Sequence, residues 1–262
     1  MVATDYDGFI EIVADAAHIG RDEAVRATSA TLKTLGERIV RGEADDLAAQ
    51  LPPELAPFLE KTDAAAEGFD FDEFVRRVSE RERVDLETAE RHARAVFAAL
   101  GRALPDEELQ DLSAELPEDI RLRLLAKGTP LLEVMPYSAF VARVAGRAGL
   151  DHDLARRATD AVLETLAERI ADGEVDDLIE DLPIELHPPL KRGKAGGGGH
   201  ATRMSLDEFV RRVAQREGVA FEQALEHSRA VLATLREAIP DSEFHDVAVQ
   251  LPDEYDVVLA RR

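Results

Sequence analysis

The sequence predicts an all-α protein made of four tandem helical repeats, which pair into two similar helical-bundle domains. A phenylalanine stands 42 residues before a Leu-Pro pair at four places along the chain. Between them a valine, two alanines, a leucine and an aspartate also recur in all four segments, which indicates an internal repeat of about 65 residues. Apolar residues recur at helical spacing, and no segment alternates long enough to form a strand. In the first repeat the recurring residues are Phe9, Val13, Ala24, Ala30, Leu35, Asp46, Leu51 and Pro52.

The four repeats fall into two classes. Over the 44 residues from phenylalanine to proline, the first and third copies share 23 identities, the second and fourth also share 23, and the first and second share 13. This pattern indicates that a two-copy unit was duplicated whole. We therefore predict a first domain at 1–129 and a second at 130–262, with a flexible glycine-rich linker at 193–203. The predicted repeats occupy residues 1–60, 69–128, 135–192 and 204–262.

Each repeat is predicted to contain four helices. The first carries Phe9 and Val13, or their equivalents, on one face. The second runs from about Asp22 to Ile39, with small alanines that allow close helix packing. The third begins at Gly-Glu-Ala-Asp-Asp-Leu in the first repeat and at Pro105 in the second. The Leu-Pro pair ends this helix, because proline lacks a backbone donor, and a fourth short helix folds back over the repeat.

Four sequence blocks follow one another in the odd-numbered repeats: Phe-x-x-x-Val, Thr-Leu-x-Glu-Arg-Ile, Gly-Glu-x-Asp-Asp-Leu and Pro-x-Glu-Leu. With these blocks the chain resembles the bacterial and archaeal family known as domain of unknown function 2267, twice over and along nearly its whole length. The resemblance implies tandem helical units and brings no established activity. The even-numbered repeats lack the Gly-Glu-x-Asp-Asp block, so a role of that acidic turn would belong to one half of each domain.

Acidic residues dominate the composition. Aspartate and glutamate total 54 against 32 lysines and arginines, which gives a net charge of -22. Such self-repulsion destabilises a folded chain in dilute salt, whereas at about 1 M ionic strength the screening length is roughly 3 Å. We therefore expect a halophilic protein; the alternative is a moderately acidic protein from a GC-rich genome. A surface of this charge is not expected to bind nucleic acid.

Other features of the sequence exclude further classes of function. The chain contains no cysteine, which excludes disulfides and thiol catalysis. It shows no apolar run near 18 residues and no N-terminal signal, so we expect a cytoplasmic protein without a membrane partner. No metal-ligand spacing is recognisable, and we predict neither a metal nor a cofactor.

Two histidines occupy equivalent places in the even-numbered repeats. His92 and His227 each stand two residues before an arginine, Arg94 and Arg229, at the edge of an apolar helix face. One interpretation is a small-ligand or anion pocket in each even repeat. The other, which we favour, is a hydrogen-bonded interface histidine beside solvated arginines. The arginines that could complete such a pocket are Arg76, Arg77, Arg211 and Arg212.

One aspartate recurs in every repeat just before an apolar position: Asp46, Asp111, Asp177 and Asp246. We expect a solvent-facing acid, a helix cap or a salt-bridge partner rather than a catalytic group. This interpretation assumes that no second carboxylate stands at a fixed spacing in all four repeats. The acidic turns could attract weakly bound cations, but they lack the ligand spacing of a calcium loop.

Two functions from different classes remain. The preferred hypothesis is a non-enzymatic module whose repeats present a surface to a protein partner or to a second copy of the chain. The alternative is a small-molecule or ion-binding protein with a pocket between odd and even repeats around His92 and His227. An enzyme comes third, because no catalytic constellation is recognisable.

Overall fold

The computed structural model describes residues 5–60, 65–125, 134–197 and 201–259. Within these ranges the chain forms fifteen α-helices and three short 3-10 helices, with no strand, which confirms the predicted all-α class. The chain divides into two compact units, Met1–Thr129 and Pro130–Arg262, and the division itself lies outside the described residues. We call these units the first and second domain.

Both domains contain the same succession of helices twice. A helix of 12 residues is followed by one of 18 and one of 9 or 10, and then by final elements that differ in length, from a single 3-10 helix at Ala56–Phe58 to a 3-10 helix plus a ten-residue α-helix at His187–Gly196. The first domain contains α1 Tyr6–Ala17, α2 Arg21–Arg38, α3 Arg41–Gln50, a 3-10 helix at Ala56–Phe58, α4 Phe71–Glu82, α5 Leu86–Ala103, α6 Asp106–Glu115 and α7 Glu118–Leu124. The second contains α8 Tyr137–Ala148, α9 His152–Arg169, α10 Asp172–Asp181, a 3-10 helix at Ile184–Leu186, α11 His187–Gly196, α12 Leu206–Glu217, α13 Phe221–Ala238, α14 Asp241–Val249, a 3-10 helix at Asp253–Tyr255 and α15 Asp256–Leu259.

Local sequence determines where the first helix of each repeat begins and ends. In three repeats a side chain caps the helix start by accepting a backbone hydrogen bond: Asp5, Asp70 and Ser205. At the other end the chain leaves all four helices through a residue in the left-handed conformation: His18, Arg83, Gly149 and Gly218. Only glycine adopts this conformation without steric cost, so His18 and Arg83 occupy it at the expense of stability.

The two repeats of a domain share one core, because each first helix packs against the second helix of both repeats. In the first domain α1 contacts α2 and α5, α4 contacts α5 and α2, and α2 contacts α5. The second domain shows the same arrangement with α8, α9, α12 and α13. The four recurring phenylalanines are fully buried here, each stabilising its domain by about 1.5–3 kcal/mol: Phe9, Phe74, Phe140 and Phe209. One repeat alone would leave much of this apolar surface exposed to water.

The element after each Leu-Pro pair returns the chain to its own repeat. In the second repeat, α6 ends at the Leu-Pro pair and α7 packs against α5. Asp119 at the start of α7 accepts a hydrogen bond from the backbone N–H of Phe71, at 2.7 Å, at the start of α4. In the last repeat Glu254 accepts one from Leu206 at 3.1 Å. In these two repeats the acidic residue two positions after the proline of the Leu-Pro pair therefore caps the first helix of the same repeat.

The glycine-rich segment 193–203 is not a linker throughout, because α11 continues to Gly196. Gly193 is buried where α11 packs against α9. A Cβ atom added there would lie 2.7 Å from the Cβ of Ala167 and would also clash with the carbonyl oxygen of Glu164. Glycine is required here for close helix packing rather than for chain flexibility.

The predicted linker thus begins only after α11. The third repeat, predicted to end at residue 192, also includes the last turn of this helix. Residues 198–200 lie outside the described residues. Beyond them, the backbone N–H of Thr202 donates a hydrogen bond to the carbonyl oxygen of Glu168 at 2.8 Å, which ties the following segment to α9.

Candidate functional site

The two equivalent histidines lie inside the cores. His92 on α5 is 0% exposed, and His227 on α13 is 5% exposed. The Nδ1 atom of His92 lies 2.6 Å from Oε1 of Glu82, and that of His227 lies 2.6 Å from Oε1 of Glu217. The structure therefore places one buried histidine-glutamate pair in the even repeat of each domain.

Sequence reasoning missed the glutamates of these pairs. Each is the last residue of a first helix and precedes its histidine by ten positions. Glu82 follows Val78 by four residues and so lies on the buried face of α4; an acid on that apolar stripe was the signal. The odd repeats carry alanine at both positions: Ala17 and Ala27 in the first, and Ala148 and Ala158 in the third. Both members of the pair change together between odd and even repeats.

Each pair contains polar atoms that form no hydrogen bond with any described residue. These buried atoms are Oε2 of Glu82, Nε2 of His92 and Oε2 of Glu217. Burial raises the pKa of Glu217, against the opposing effects of His227 and Arg157. An unpaired charge at such a position would cost several kcal/mol, so neither member is well tolerated without the other.

The structure does not bring the predicted arginines to the histidines. Arg94 binds Glu90 of its own helix at 2.7 Å, and Arg229 binds Glu226. Side chains two residues apart on a helix point about 200° apart, so each histidine faces the core and its arginine faces away. Two of the four arginines that could complete such a pocket bind acids one turn away on their own helices: Arg76 and Arg211.

Arg77 belongs to a polar clamp that joins the two repeats of the first domain. It binds Glu37 of α2 at 2.9 Å, and Arg81, one turn further along α4, binds the same glutamate and the hydroxyl of Thr34. Arg38 donates to a backbone carbonyl oxygen just before α4 at 3.1 Å. The Thr-Leu-x-Glu-Arg block of the odd repeat therefore holds the first helix of the even repeat.

The second domain has equivalent ion pairs in two places where its repeats meet. Arg212 binds Glu168 of α9 at 2.9 Å, and Arg216 binds the same residue. On the opposite side Arg147 of α8 binds Glu237 of α13. These ion pairs are partly exposed, so each contributes about 1 kcal/mol or less, and their main effect is to specify which helices pair.

The four recurring aspartates are exposed on the third helix of each repeat. The expectation that no second carboxylate accompanies them is wrong, because a glutamate precedes each by three residues. Since α3 packs against α6 and α10 against α14, these carboxylates gather in one cluster per domain. We call the clusters the acidic edges: Glu43, Asp46, Glu108 and Asp111 in the first domain, and Glu174, Asp177, Glu243 and Asp246 in the second.

Repulsion within the edges acts on one half-buried glutamate in each domain. Burial raises the pKa of Glu43, and the negative charges of Asp111 and Glu108 raise it further. Burial likewise raises the pKa of Glu174, with added repulsion from Asp177 and its neighbours. A raised carboxyl pKa means that the ionised form is disfavoured in the folded state. Ionisation of Glu43 and Glu174 therefore destabilises the folded domains at neutral pH.

A shallow groove of about 420 Å³ lies between α10 and α11. Asp172, Asp176 and Lys194 contribute to its lining, and the ammonium group of Lys194 lies 2.5 Å from Oδ1 of Asp176. These opposite charges neutralise each other. The groove contains neither of the equivalent histidines, so it does not correspond to the predicted ligand pocket.

In the described ranges, no three or more histidine, cysteine, aspartate or glutamate side chains are placed to hold a metal ion. Any cations at the acidic edges would therefore be attracted by charge rather than by a formed coordination shell. Among the helices that the structure describes, none is both long and apolar enough to cross a membrane.

Comparison with protein families yields one match that spans most of the chain. The family described as uncharacterized conserved protein (DUF2267) matches twice, over residues 6–122 and 137–258. The chain belongs to the DUF2267 family. It carries two tandem DUF2267 copies, as the sequence predicted, and one copy lies in each structural domain. No curated protein matches the sequence.

The geometry gives most of the motif blocks of this DUF2267 chain a role in the fold. The phenylalanine and valine of the first block lie in the core, the Thr-Leu-x-Glu-Arg block forms the clamp, and the acid after the Leu-Pro pair caps a helix where that contact is described. The carboxylates of the third helices are the exception. They recur in all four repeats, and their negative charges add to the effect of burial in raising the pKa of Glu43 and of Glu174.

Proposed function

We propose that this DUF2267 protein is a non-enzymatic interaction module that binds a basic segment of a partner protein through its acidic edges. The observation that carries the proposal is the recurrence of one glutamate and one aspartate in all four repeats, where they meet as one edge per domain. The same candidate surface is thus present twice in one chain.

The acidic edges differ from the other recurring residues in their effect on stability. Buried phenylalanines and cross-repeat ion pairs favour the folded state, whereas the edge carboxylates repel one another. Burial raises the pKa of Glu43 and of Glu174, and repulsion from the neighbouring carboxylates raises it further. A purely structural role would favour neutral side chains or alternating charges at these positions. Binding to a positively charged partner would explain why these carboxylates recur, whereas a contribution to folding would not.

The side chains that would bind such an edge are the lysines and arginines of an extended or helical segment. They would neutralise the mutual repulsion of the carboxylates and form charge-assisted hydrogen bonds with the exposed aspartates. A partner with two basic segments could occupy both edges of one chain. Bivalent binding of this kind raises the apparent affinity by a factor of about 10²–10⁴ over that of one edge.

The placement of the titratable residues supports a non-enzymatic function. A general acid or base must come within hydrogen-bonding distance of its substrate. His92 and His227 are instead buried against glutamates, and the nearby Arg94 and Arg229 bind acids of their own helices. The groove between α10 and α11 contains a neutralised acid-base pair. The small-ligand alternative therefore has less support than the interaction module.

Two variants with equal loss of charge test the proposal. The edge variant replaces the four exposed edge aspartates: Asp46→Asn, Asp111→Asn, Asp177→Asn and Asp246→Asn. The control variant removes four exposed acids elsewhere, two in each domain: Glu11→Gln, Asp15→Asn, Asp153→Asn and Glu222→Gln. Tagged forms of the wild type and both variants are used in cross-linking pull-downs from native lysate, at the lowest KCl concentration that keeps all three folded.

A basic protein that binds the wild type and the control variant but is lost with the edge variant supports the proposal. Binding should also weaken as KCl is raised, because salt screens the contact. A variant with only Asp46→Asn and Asp111→Asn should lose most of the avidity, at least tenfold, if both edges are engaged. Equal capture by the edge variant, or a metabolite recovered in place of a protein, would overturn the proposal.

A further inference from the structure

We propose that the buried histidine-glutamate pair of each domain is a proton-linked lock that keeps one proton in the folded state and weakens the domain as the pH rises above neutrality. The pairs are His92 with Glu82 and His227 with Glu217. Each joins the end of the first helix of an even repeat to the second helix of the same repeat. The proposal is independent of the acidic edges.

The geometry favours a net-neutral pair. Both side chains of the first pair are 0% exposed, and those of the second pair are 6% and 1% exposed. The 2.6 Å contact between nitrogen and oxygen requires a proton between the two atoms. A neutral histidine beside an ionised glutamate would leave one uncompensated negative charge in the core. One further proton, shared by the pair as imidazolium and carboxylate or as imidazole and carboxylic acid, removes that charge.

In the described part of the first domain, several charged groups on the helices around the pair have partners of their own. On α4, Arg81 binds Glu37, and on α5, Glu90 binds Arg94. On α2, Arg26 donates to the backbone carbonyl oxygen of Asp22 at 3.3 Å. The other charged residues on the helices packed against α4 and α5 include Asp7, Glu11 and Asp15 on α1, Arg91 on α5, and Arg121 and Arg123 on α7.

In the second domain one arginine from a neighbouring helix acts on the pair. Arg157 of α9 favours the ionised form of Glu217, but burial has the larger effect and the pKa of Glu217 is raised. Arg216, next to Glu217 in sequence, binds Glu164 and Glu168. Other charges on the packed helices include Arg143 and Arg147 of α8, which bind Glu237. They also include Glu226 and Arg229 of α13, which bind each other, and Asp256 of α15.

The sign of the pH dependence follows from the protons held in each state. In an unfolded chain glutamate loses its proton near pH 4.3 and histidine near pH 6.5, so above about pH 6.5 the unfolded pair holds none. The folded pair still holds one, and unfolding releases it. The unfolding equilibrium constant of each domain therefore rises by about tenfold for each pH unit. The raised pKa of Glu217 predicts a pH dependence of the same sign, because the proton stabilises the folded domain and is lost as the pH rises.

The test compares the wild type with Glu82→Gln plus Glu217→Gln, in the full chain at constant KCl. Glutamine keeps the size and one hydrogen bond of glutamate but cannot share the proton. Urea unfolding is followed by circular dichroism from pH 5 to pH 9. Between pH 7 and pH 9 the unfolding equilibrium constant of each wild-type domain should rise about tenfold for each pH unit. The variant should show no such pH dependence. Below about pH 6.5 only the variant should lose stability, because its unfolded histidines gain a proton that the folded ones cannot accept.

Parallel pH profiles for the wild type and the variant would overturn the proposal. If the glutamine variant does not fold, nitrogen NMR of the imidazole rings in the wild type provides the second measurement. Each pair should keep its proton to a higher pH than a histidine of an unfolded chain, whereas imidazole rings that lose it near pH 6.5 would equally contradict the lock. Spectra of the urea-unfolded chain provide the reference signals for the imidazole rings.

Discussion

Replacing one member of a buried histidine-glutamate pair should destabilise the protein more than replacing both. His92→Ala leaves the Glu82 carboxyl group in the core without its partner, in a place where its second oxygen already has no described hydrogen bond. Glu82→Ala leaves the imidazole equally isolated. The double variant removes both polar groups and recreates the pair found in the odd repeats, Ala17 and Ala27.

The structure allows the magnitude to be estimated. Breaking a buried pair by removing one partner costs about 3–5 kcal/mol, and both side chains of this pair are fully buried. The double variant loses packing volume but leaves no orphaned polar group, so it should be no less stable than either single variant. Because the double variant should cost no more than either single variant, the interaction energy from the double-mutant cycle should be at least about 3 kcal/mol, at the upper end of the range for residues in contact.

Hydrogen exchange of the α4 and α5 amides in the full-length chain measures this energy, because it reports opening of the first domain alone. His152→Ala, at an exposed histidine of the second domain, should leave that exchange unchanged. Two results would refute the reasoning. One is a double variant whose loss of stability equals the sum of the two single losses. The other is a cost below about 1 kcal/mol for His92→Ala, which would mean that water reaches the pair.

Other features of the fold lead to independent predictions. Gly193→Ala should destabilise the second domain by about 1–3 kcal/mol, because α11 must move away from α9. Gly196→Ala should cost less in the same calorimetric comparison, since its Cβ would meet only a side chain, and equal effects would contradict the packing role. Arg83→Gly should stabilise the first domain by about 0.5–1 kcal/mol by relieving its left-handed conformation; a lower urea midpoint would contradict this. The wild type should melt at a higher temperature in multimolar KCl than in low salt, because salt screens its charge, and the reverse order would refute the halophilic interpretation.

The helices could be predicted from the sequence because the same residue pattern recurs in every repeat. The constant spacing from Phe9 and its equivalents to the Leu-Pro pair, together with helical periodicity, predicted the all-α fold and two similar domains. Gly193 was misinterpreted because a glycine count cannot distinguish a tether from a site of close packing. Only the position of α9 beneath α11 decides between the two.

The candidate sites were less predictable because they depend on contacts between helices. His92 was found from its recurrence, but its partner Glu82 lies on another helix, and the sequence does not show which acid faces it. Arg76 and Arg77 are adjacent in sequence and point about 100° apart, so one binds acids of its own helix and the other reaches α2. The recurring glutamate of the acidic edges was visible in the sequence. Its importance appeared only when α3 and α6 brought the carboxylates together.

The central claim is that the recurring apolar, arginine and histidine positions hold the domains together, whereas the recurring carboxylates of the acidic edges do not. Urea unfolding of the edge variant in low salt, beside the wild type and the control variant of equal charge, tests this claim most directly. We predict an unfolding midpoint above those of the wild type and the control variant, with the gain reduced in multimolar KCl, because neutral side chains remove a repulsion that salt also screens. A midpoint below that of the wild type would show that the carboxylates stabilise the fold, and would contradict the assignment of the acidic edges to partner binding.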